Sequence, residues 1–330
     1  MLLHDHLENG ADKNPNFPFS EFEGNSLSYQ EANLLSNQLA NKLVSEGLEV
    51  GDRFAFLAKN CTEMAIMYYA ASKVGAVPVP LNYRLADQEW AYIINDSEAK
   101  LIIVKGNEYS DRINQISSEL KNVKKYISIS LDNSIEKFQD FYDWLSDSSN
   151  EKPTLKIHEN DDVYQMYTSG TTGHPKGAVL LQRNVAANIR QYLNSLTLPR
   201  PSRTLLVAPM YHAAAMINMC GCIAIGGTIV IQEDFIPQDV VDCLANEKIT
   251  HTVLVPAMIQ ACLVSVPNVA NNEYNDLDQI HYGASPIAPE TLKKAMDVFK
   301  CKFGQGFGMT ETVAVICLMT PEEHIRALNE

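Results

Sequence analysis

The sequence predicts a layered α/β protein in which helices cover mostly parallel sheets. Two observations carry this. Short apolar runs alternate with helical patterns along most of the 330 residues, as strands joined by crossover helices do. Several runs, such as Leu101-Ile-Ile-Val104, are apolar without a break, which fits strands buried on both faces. There are more such runs than one small sheet holds, and the length predicts two or three compact units.

In chain order, Ser28-Tyr-Gln-Glu31 is a capping-box pattern. The helix it opens sets Leu34, Leu35, Leu39, Leu43 and Val44 on one face and is closed by Gly47. Residues 54–58 read as a strand, 62–74 as a helix, 76–81 as a strand, 87–95 as a helix and 101–104 as a strand. Residues 147–162 are polar and acidic and contain Pro153, so they read as a surface connection. Strands follow at 163–168, 178–181, 204–208, 228–232, 252–255 and 279–283, with helical patterns at 237–247 and 289–299. Residues 213–231 carry no charge, but Gly221 and Gly226-Gly227 interrupt them. A buried helix, a turn and a buried strand fit that stretch better than a membrane span.

Composition excludes several classes. Lys+Arg number 26 against 40 Asp+Glu, giving a net charge of −14, which repels nucleic-acid backbones and anionic lipid surfaces. A small basic pocket for a phosphate ligand remains compatible with that charge. The seven cysteines form no C-x-x-C pair, so neither a disulfide framework nor a zinc site is expected, and buried thiols in a reducing, cytoplasmic setting are. The N-terminus lacks a basic segment followed by a long apolar core, which argues against a signal peptide and leaves the sequon at Asn60 without meaning.

The segment richest in chemistry is Tyr167-Thr168-Ser169-Gly170-Thr171-Thr172-Gly173-His174-Pro175-Lys176-Gly177, set between two apolar strands. Its glycines let successive backbone N–H groups converge on one anion, its hydroxyls add donors, and Lys176 adds a point charge. A polyphosphate suits such a loop. The spacing is not that of a Walker loop, and a strand follows where that motif opens a helix. A polar hairpin turn would collect the same residue types.

This segment resembles the phosphate-loop signature of the adenylate-forming superfamily, which includes acyl-CoA synthetases, aryl-CoA ligases, luciferases and nonribosomal adenylation domains. Three further segments match in the family's order. Pro209-Met210-Tyr211-His212 resembles a segment of the CoA-ligase branch. Tyr282-Gly283-Ala284-Ser285-Pro286 resembles the adenine and acyl-pocket segment. Gln305-Gly306-Phe307-Gly308-Met309-Thr310-Glu311 resembles the aromatic-Gly-x-Thr-Glu element. The likeness extends over essentially the whole chain, including Val74-Gly75-Ala76-Val77-Pro78-Val79-Pro80-Leu81.

The resemblance implies roles for these residues. Thr168, Ser169, Gly170, Thr171, Thr172, Gly173 and Lys176 would hold the β- and γ-phosphates of ATP. Glu311 would bind Mg²⁺, a hard ion that takes oxygen ligands, and Thr310 would meet the α-phosphate. Alone, a Thr-Glu pair is an ordinary helix cap. Phe307, flanked by Gly308, would stack on adenine, although an isolated aromatic is more simply core. Gly283, Ala284, Ser285 and Pro286 would let a ligand lie against backbone at a strand end, where open α/β sheets bind ligands. His212 would stand near the acyl carboxylate and the incoming thiol.

Amino-acid-activating relatives carry an aspartate in this neighbourhood to pair with the substrate ammonium, whereas Tyr211-His212-Ala213-Ala214-Ala215-Met216 holds no carboxylate. The resemblance therefore implies a plain carboxylic acid, fatty or otherwise apolar. Met216, Met219 and Ile223 have the helical spacing of a tail pocket, although core packing is the simpler role for them. The implied reaction forms acyl-AMP from the acid and ATP, then a thioester with CoA. A carrier-protein thiol as acceptor and a non-catalytic adenylate-binding role stay open.

The resemblance further implies two similar sheets in a five-layer arrangement. Residues 50–181 would form one subdomain ending in the phosphate loop, and residues 1–49 with 182–330 a second carrying the acyl and adenine pocket. Relatives of full length continue beyond the Thr-Glu element with the ribose-binding Asp, a hinge, and a mobile C-terminal domain bearing the adenylation Lys. A chain without them is expected to bind Mg-ATP weakly, not to turn over, and to leave apolar surface open for that domain or a second copy.

Overall fold

The computed structural model describes residues 1–330 except 131–134, 136, 170–172, 197, 199 and 330. In chain order the elements begin with α1 (Leu3–Lys13), β1 (Pro18–Phe22), β2 (Asn25–Ser28), α2 (Tyr29–Ser45), β3 (Arg53–Leu57), α3 (Thr62–Val74) and β4 (Val77–Leu81). Then come α4 (Asp87–Asp96), β5 (Leu101–Lys105), α5 (Asn107–Ile116), β6 (Lys125–Ile129), β7 (Phe138–Asp140) and α6 (Phe141–Leu145). After the polar connection stand β8 (Asp162–Thr168), β9 (Lys176–Leu181), α7 (Gln182–Ser195), β10 (Arg203–Leu206), α8 (Ala213–Ala224), β11 (Thr228–Ile231), α9 (Pro237–Asn246) and β12 (His251–Leu254). The last are α10 (Pro256–Ser265), β13 (Gln279–Gly283), α11 (Pro289–Phe299), β14 (Lys302–Phe307), β15 (Cys317–Met319) and α12 (Pro321–Asn329). The uncharged stretch at 213–231 is α8 followed by β11, and no helix among the described residues is long and apolar enough to cross a membrane.

The chain divides into two compact units. The first comprises Met1–Ala11 and Gln30–Ala186, the second Asp12–Tyr29 and Ala187–Glu330. This corrects the expected division: residues 1–11 and 30–49 belong with the first unit. The reason is long-range polar contact that a linear reading does not show. The α1 backbone N–H of Leu3 donates to Gln182 Oε1 at 3.0 Å, and that of His4 to Ser72 Oγ at 3.3 Å. Lys42 on α2 meets Asp147 at 2.6 Å, and the Trp144 indole N–H donates to Glu46 at 2.7 Å. Leu34 and Val44 are exposed, so the apolar face of α2 is narrower than its leucine spacing suggests.

The first unit holds a five-stranded parallel sheet in the order β4-β3-β5-β6-β7. Its edge strand β4 reads Val-Pro-Val-Pro-Leu, and prolines, having no N–H to give, are tolerated at an edge. α3 is buried from Met64 to Val74, so it is apolar nearly all round. It carries a buried cation, Lys73, which lies 3.6 Å from Glu8. Burial pulls the Lys73 ammonium down to about 8, while Glu8 opposes the shift. β8 and β9 do not join the five-stranded sheet but form their own antiparallel ribbon.

The second unit holds an eight-stranded sheet in the order β15-β14-β13-β12-β10-β11-β1-β2, parallel except at its two antiparallel edges, β15 and β2. β1 is drawn from far upstream and pairs Ser20 with Ile229. Arg203 clamps Glu21 through two bonds of 2.8 Å, and this pairing holds the Glu21 carboxyl below its ordinary range. On one sheet face Leu254, Ile280, Tyr282 and Phe303 pack with α9, α10 and α11 in a closed core. Residues of alternate register, His251, Val253, Gln279, His281, Gly283 and Gly304, fall on the other face. β10 is followed in sequence by β11 on one side, while β12 lies on its other side, so the strand order reverses between β10 and β12. That reversal is where open α/β sheets leave a crevice beyond their strand ends.

Candidate functional site

In the first unit the glycine-rich loop joins β8 to β9. The ribbon register sets Thr168 directly opposite Lys176, so a hydroxyl and an ammonium flank the loop's base. Two contacts hold that base. Tyr167 donates its hydroxyl to Asp96 at 2.6 Å, and His174 stacks on Tyr92 with ring centroids 5.1 Å apart. Ser169, Gly173 and Lys176 are exposed, and Gly173 has φ of 97°, a conformation open to glycine. The loop therefore reaches solvent rather than packing into the interior at these positions. The predicted ligands Gly170, Thr171 and Thr172 lie outside the described residues.

In the second unit a cavity of about 430 Å³ opens at the crevice. Four stretches separated in sequence meet there. Ala208, Pro209 and His212 to Ala215 follow β10, Val253 and Val255 lie on and just after β12, His281 to Ala284 on and just after β13, and Gly306 to Thr310 on and just after β14. Of the predicted site residues, His212, Gly283, Ala284, Phe307, Gly308 and Thr310 line this one cavity. Ser285 does not line it and is exposed, and Pro286 lines a neighbouring hollow of about 290 Å³ with Tyr282 and His324. Glu311 stands exposed on a short 3-10 turn, Thr310–Thr312, at the cavity's margin rather than in its lining.

Local chemistry explains the shape of the rim. A side chain at Gly308 would overlap the Ala314 carbonyl, because residues 308–316 double back on β14. That return is pinned by Ile316 N–H donating to Phe307 O at 2.8 Å and by a two-way bond between Asn188 and the Val315 backbone. Val313, a β-branched residue, sits at φ of 73°, a strained setting just past Glu311. Ala284 is likewise at φ of 66° where β13 ends. Phe307 is 60% exposed, so its ring offers an apolar face at the cavity mouth. His212 occupies the N-cap position of α8 and is exposed, its ring 4.3 Å from that of Tyr211. Met216 and Met219 are fully buried and do not line the cavity, so they are core.

The residues fit the expected cation in a limited way. Among the described residues no three His, Cys, Asp or Glu side chains gather for a metal ion. Glu311 and the Thr310 hydroxyl give hard oxygen donors, with other positions left for phosphate oxygens and water, the environment Mg²⁺ prefers.

Sequence reading missed Tyr192 and His281, both buried cavity residues. Their signal was present but indirect. His281 lies two positions before Gly283 on one strand and so shares its face. Tyr192 is placed by α7 alone.

Comparison with known proteins identifies the family. The profile of a family described as AMP-binding enzymes matches residues 7–329. The chain is 29% identical over 302 residues to long-chain-fatty-acid–CoA ligase FadD13 of Mycobacterium tuberculosis, covering 91% of this chain and 58% of that protein. It is 30% identical over 323 residues to fatty acid–[acyl-carrier-protein] ligase ScoC of Streptomyces coeruleorubidus, covering 96% and 59%. The chain thus spans about three fifths of the length of these curated relatives. Among solved structures, the inhibitor-bound N-terminal domain of FACL13 from Mycobacterium tuberculosis superposes with a TM-score of 0.90 at 26% identity, covering 99% of this chain and 80% of that one. The anthranilate CoA ligase AuaEII with anthranoyl-AMP gives 0.92 at 20% identity over 97% and 62%, a likeness of fold. With its segments in family order and the cavity they build, the chain belongs to the AMP-binding enzyme family.

Proposed function

We propose that this chain is the nucleotide- and acid-binding part of a ligase that activates a carboxylic acid as acyl-AMP and passes it to the thiol of CoA. One observation carries the reading: His212, Gly283, Ala284, Phe307, Gly308 and Thr310, from three distant segments, line a single cavity at the sheet's reversal point. Acid–CoA ligases recur among the relatives, which act on fatty acids, ferulate and 4-coumarate by their names.

In the first step a carboxylate oxygen attacks the α-phosphorus of ATP, the acyl–O–P bond forms, and pyrophosphate leaves with the bonding pair. Such a step needs placement and neutralised charge more than a protein nucleophile. Thr168, Ser169, Gly173 and Lys176, with Gly170, Thr171 and Thr172, hold the β- and γ-phosphates. Phe307 stacks on adenine while Gly308, Gly283, Ala284, Ser285 and Pro286 leave its backbone approach clear. Thr310 donates to the α-phosphate. Glu311 would hold Mg²⁺, which supplies charge neutralisation on the phosphates when bound. His212, at the rim, orients the carboxylate and meets the incoming thiol. In the second step the thiol sulfur attacks the acyl carbon and AMP departs.

The lining is mostly apolar and contains no carboxylate for a substrate ammonium, which supports an acid with an apolar body. The name of ScoC favours a second acceptor, a carrier-protein thiol. The test is calorimetric titration of Mg-ATP into the chain and its Lys176→Ala variant, with pyrophosphate exchange over a panel of acids. Binding that Lys176→Ala weakens supports the site. Exchange stimulated by some acids supports catalysis by this chain, and binding without exchange restricts it to ligand capture.

A further inference from the structure

One face of α4 grips the glycine-rich loop at both of its ends. At the exit of β8, Tyr167 donates its hydroxyl to Asp96 at 2.6 Å and accepts from the Gln165 amide at 3.1 Å. Gln165 in turn accepts from Arg53 Nε at 3.2 Å, and Arg53 lies 3.2 Å from Asp162. A line of polar contacts thus follows the ribbon and ends on α4. At the entry to β9, the His174 ring stacks on Tyr92, with centroids 5.1 Å apart and planes 23° apart. The Tyr92 hydroxyl also donates to the Pro175 carbonyl at 3.4 Å. Tyr92 and Asp96 are four residues apart on α4, so they stand on one face of it.

Gly177 makes room for the first contact. It pairs with Tyr167 across the ribbon, and a Cβ there would come within 2.9 Å of Tyr167 Cζ. The ring therefore lies over glycine while its hydroxyl reaches α4. Burial, and after it the Asp96 carboxylate, raises the Tyr167 pKa, so the phenol keeps its proton and remains a donor. Tyr167 adjoins Thr168 in sequence and Pro175 adjoins Lys176, so both gripped points neighbour groups assigned to the phosphates. Electrostatics alone would not put Asp96 here. Its carboxylate is exposed and close to a loop read as a polyanion site, where like charge is unfavourable. Holding the loop in place accounts for the residue.

We propose that Tyr92 and Asp96 are positioning residues for the phosphate-binding loop: α4 fixes both ends of the loop, and polyphosphate affinity depends on that grip although neither residue touches the ligand. The inference rests on the reading of this loop as the phosphate site and adds the helix that holds it.

The test is calorimetric titration of Mg-ATP into the 330-residue chain and its variants, with urea unfolding as the control for folding. Asp96 and His174 are exposed, so their variants should keep the wild-type urea midpoint. Asp96→Ala removes the acceptor, and Mg-ATP should bind about two- to tenfold more weakly, the worth of one net hydrogen bond. A charge effect has the opposite sign, since deleting a nearby carboxylate tightens a polyanion. Asp96→Asn keeps an acceptor for the Tyr167 hydroxyl and sheds the charge, so it should bind at least as tightly as the wild type. Tyr167→Phe should repeat the loss seen in Asp96→Ala, and the double variant should lose no more than either alone. His174→Ala should weaken binding about two- to tenfold, and His174→Phe should restore it by restoring the stack. Wild-type affinity in Asp96→Ala and His174→Ala, with Lys176→Ala still weakened, overturns the grip and leaves the phosphate-site reading standing. Additive losses in Asp96→Ala and Tyr167→Phe overturn the grip as well. Binding by Lys176→Ala as tight as the wild type's, or no binding by the wild type, overturns both.

Discussion

Acidification should destabilise the second unit through His251 before its carboxylates begin to titrate. His251 is fully buried, and burial lowers its pKa from 6.5 to about 4. Between those values the unfolded chain holds a proton that the folded chain refuses, so stability rises with pH in that window and falls as pH drops through it. Above pH 6.5 neither state holds the proton and the contribution is complete; below about 4 both do and the slope vanishes. Linkage puts the loss between pH 7 and pH 5 at about 2 kcal/mol. His281 adds in the same direction, since burial, His251 and His324 all disfavour its charged form. His4 in the first unit is also lowered by burial, so whole-chain unfolding contains its part too. The informative measurement is therefore a difference: urea unfolding at pH 7 and pH 5 for the wild type and for His251→Gln, which can still donate to Tyr192 but does not titrate. The variant should lose about 2 kcal/mol less than the wild type on acidification. Equal losses in both proteins would show that the His251 imidazole is not held neutral by its burial.

Other perturbations have defined outcomes. Lys176→Ala removes an exposed cation with no carboxylate partner among the described residues, so Mg-ATP or pyrophosphate affinity should fall about tenfold or more with the thermal midpoint unchanged. Gly308→Ala forces a methyl group into the Ala314 carbonyl, which should destabilise the second unit by about 1–3 kcal/mol and weaken adenylate-analogue binding in calorimetry. Lys73→Ala leaves two asparagine oxygens without their buried cation while Glu8 keeps Lys152 at 2.7 Å, and urea unfolding should show a loss of about 1–3 kcal/mol while ligand binding in the second unit persists.

The central strands were readable because each is a short, unbroken apolar run, and β3, β5, β11 and β13 fall within a residue or two of where the pattern puts them. β14 was not readable. Lys302-Phe-Gly-Gln-Gly-Phe307 has neither alternation nor β-branched residues, because Gly304 must yield its side-chain space to the His281 ring on the next strand. The separate β8–β9 ribbon was missed for a related reason: its strand residues look alike whichever neighbour they take, and only the pairing of Thr168 with Lys176 decides. Site motifs were legible where one contiguous segment carries its own chemistry, as in residues 306–311. Tyr192 and His281 acquire meaning only when α7 lies over β13 and Val253 stands beside His281. That information is stored in pairing, and no single segment contains it.

The weaving of the chain between its two units has a consequence for synthesis. The hairpin of β1 and β2 leaves the ribosome well before its docking strand β11, which arrives some two hundred residues later, at Ile229 opposite Ser20. At ordinary elongation rates of about 5–20 residues per second, that interval lasts roughly 10–40 s. Throughout it Phe19 and Phe22, both buried in the finished protein, lack the strand that shelters them. A nascent chain of this design is a natural client for chaperones that bind short aromatic ribbons, and a slow codon stretch before β11 would lengthen its exposure to aggregation.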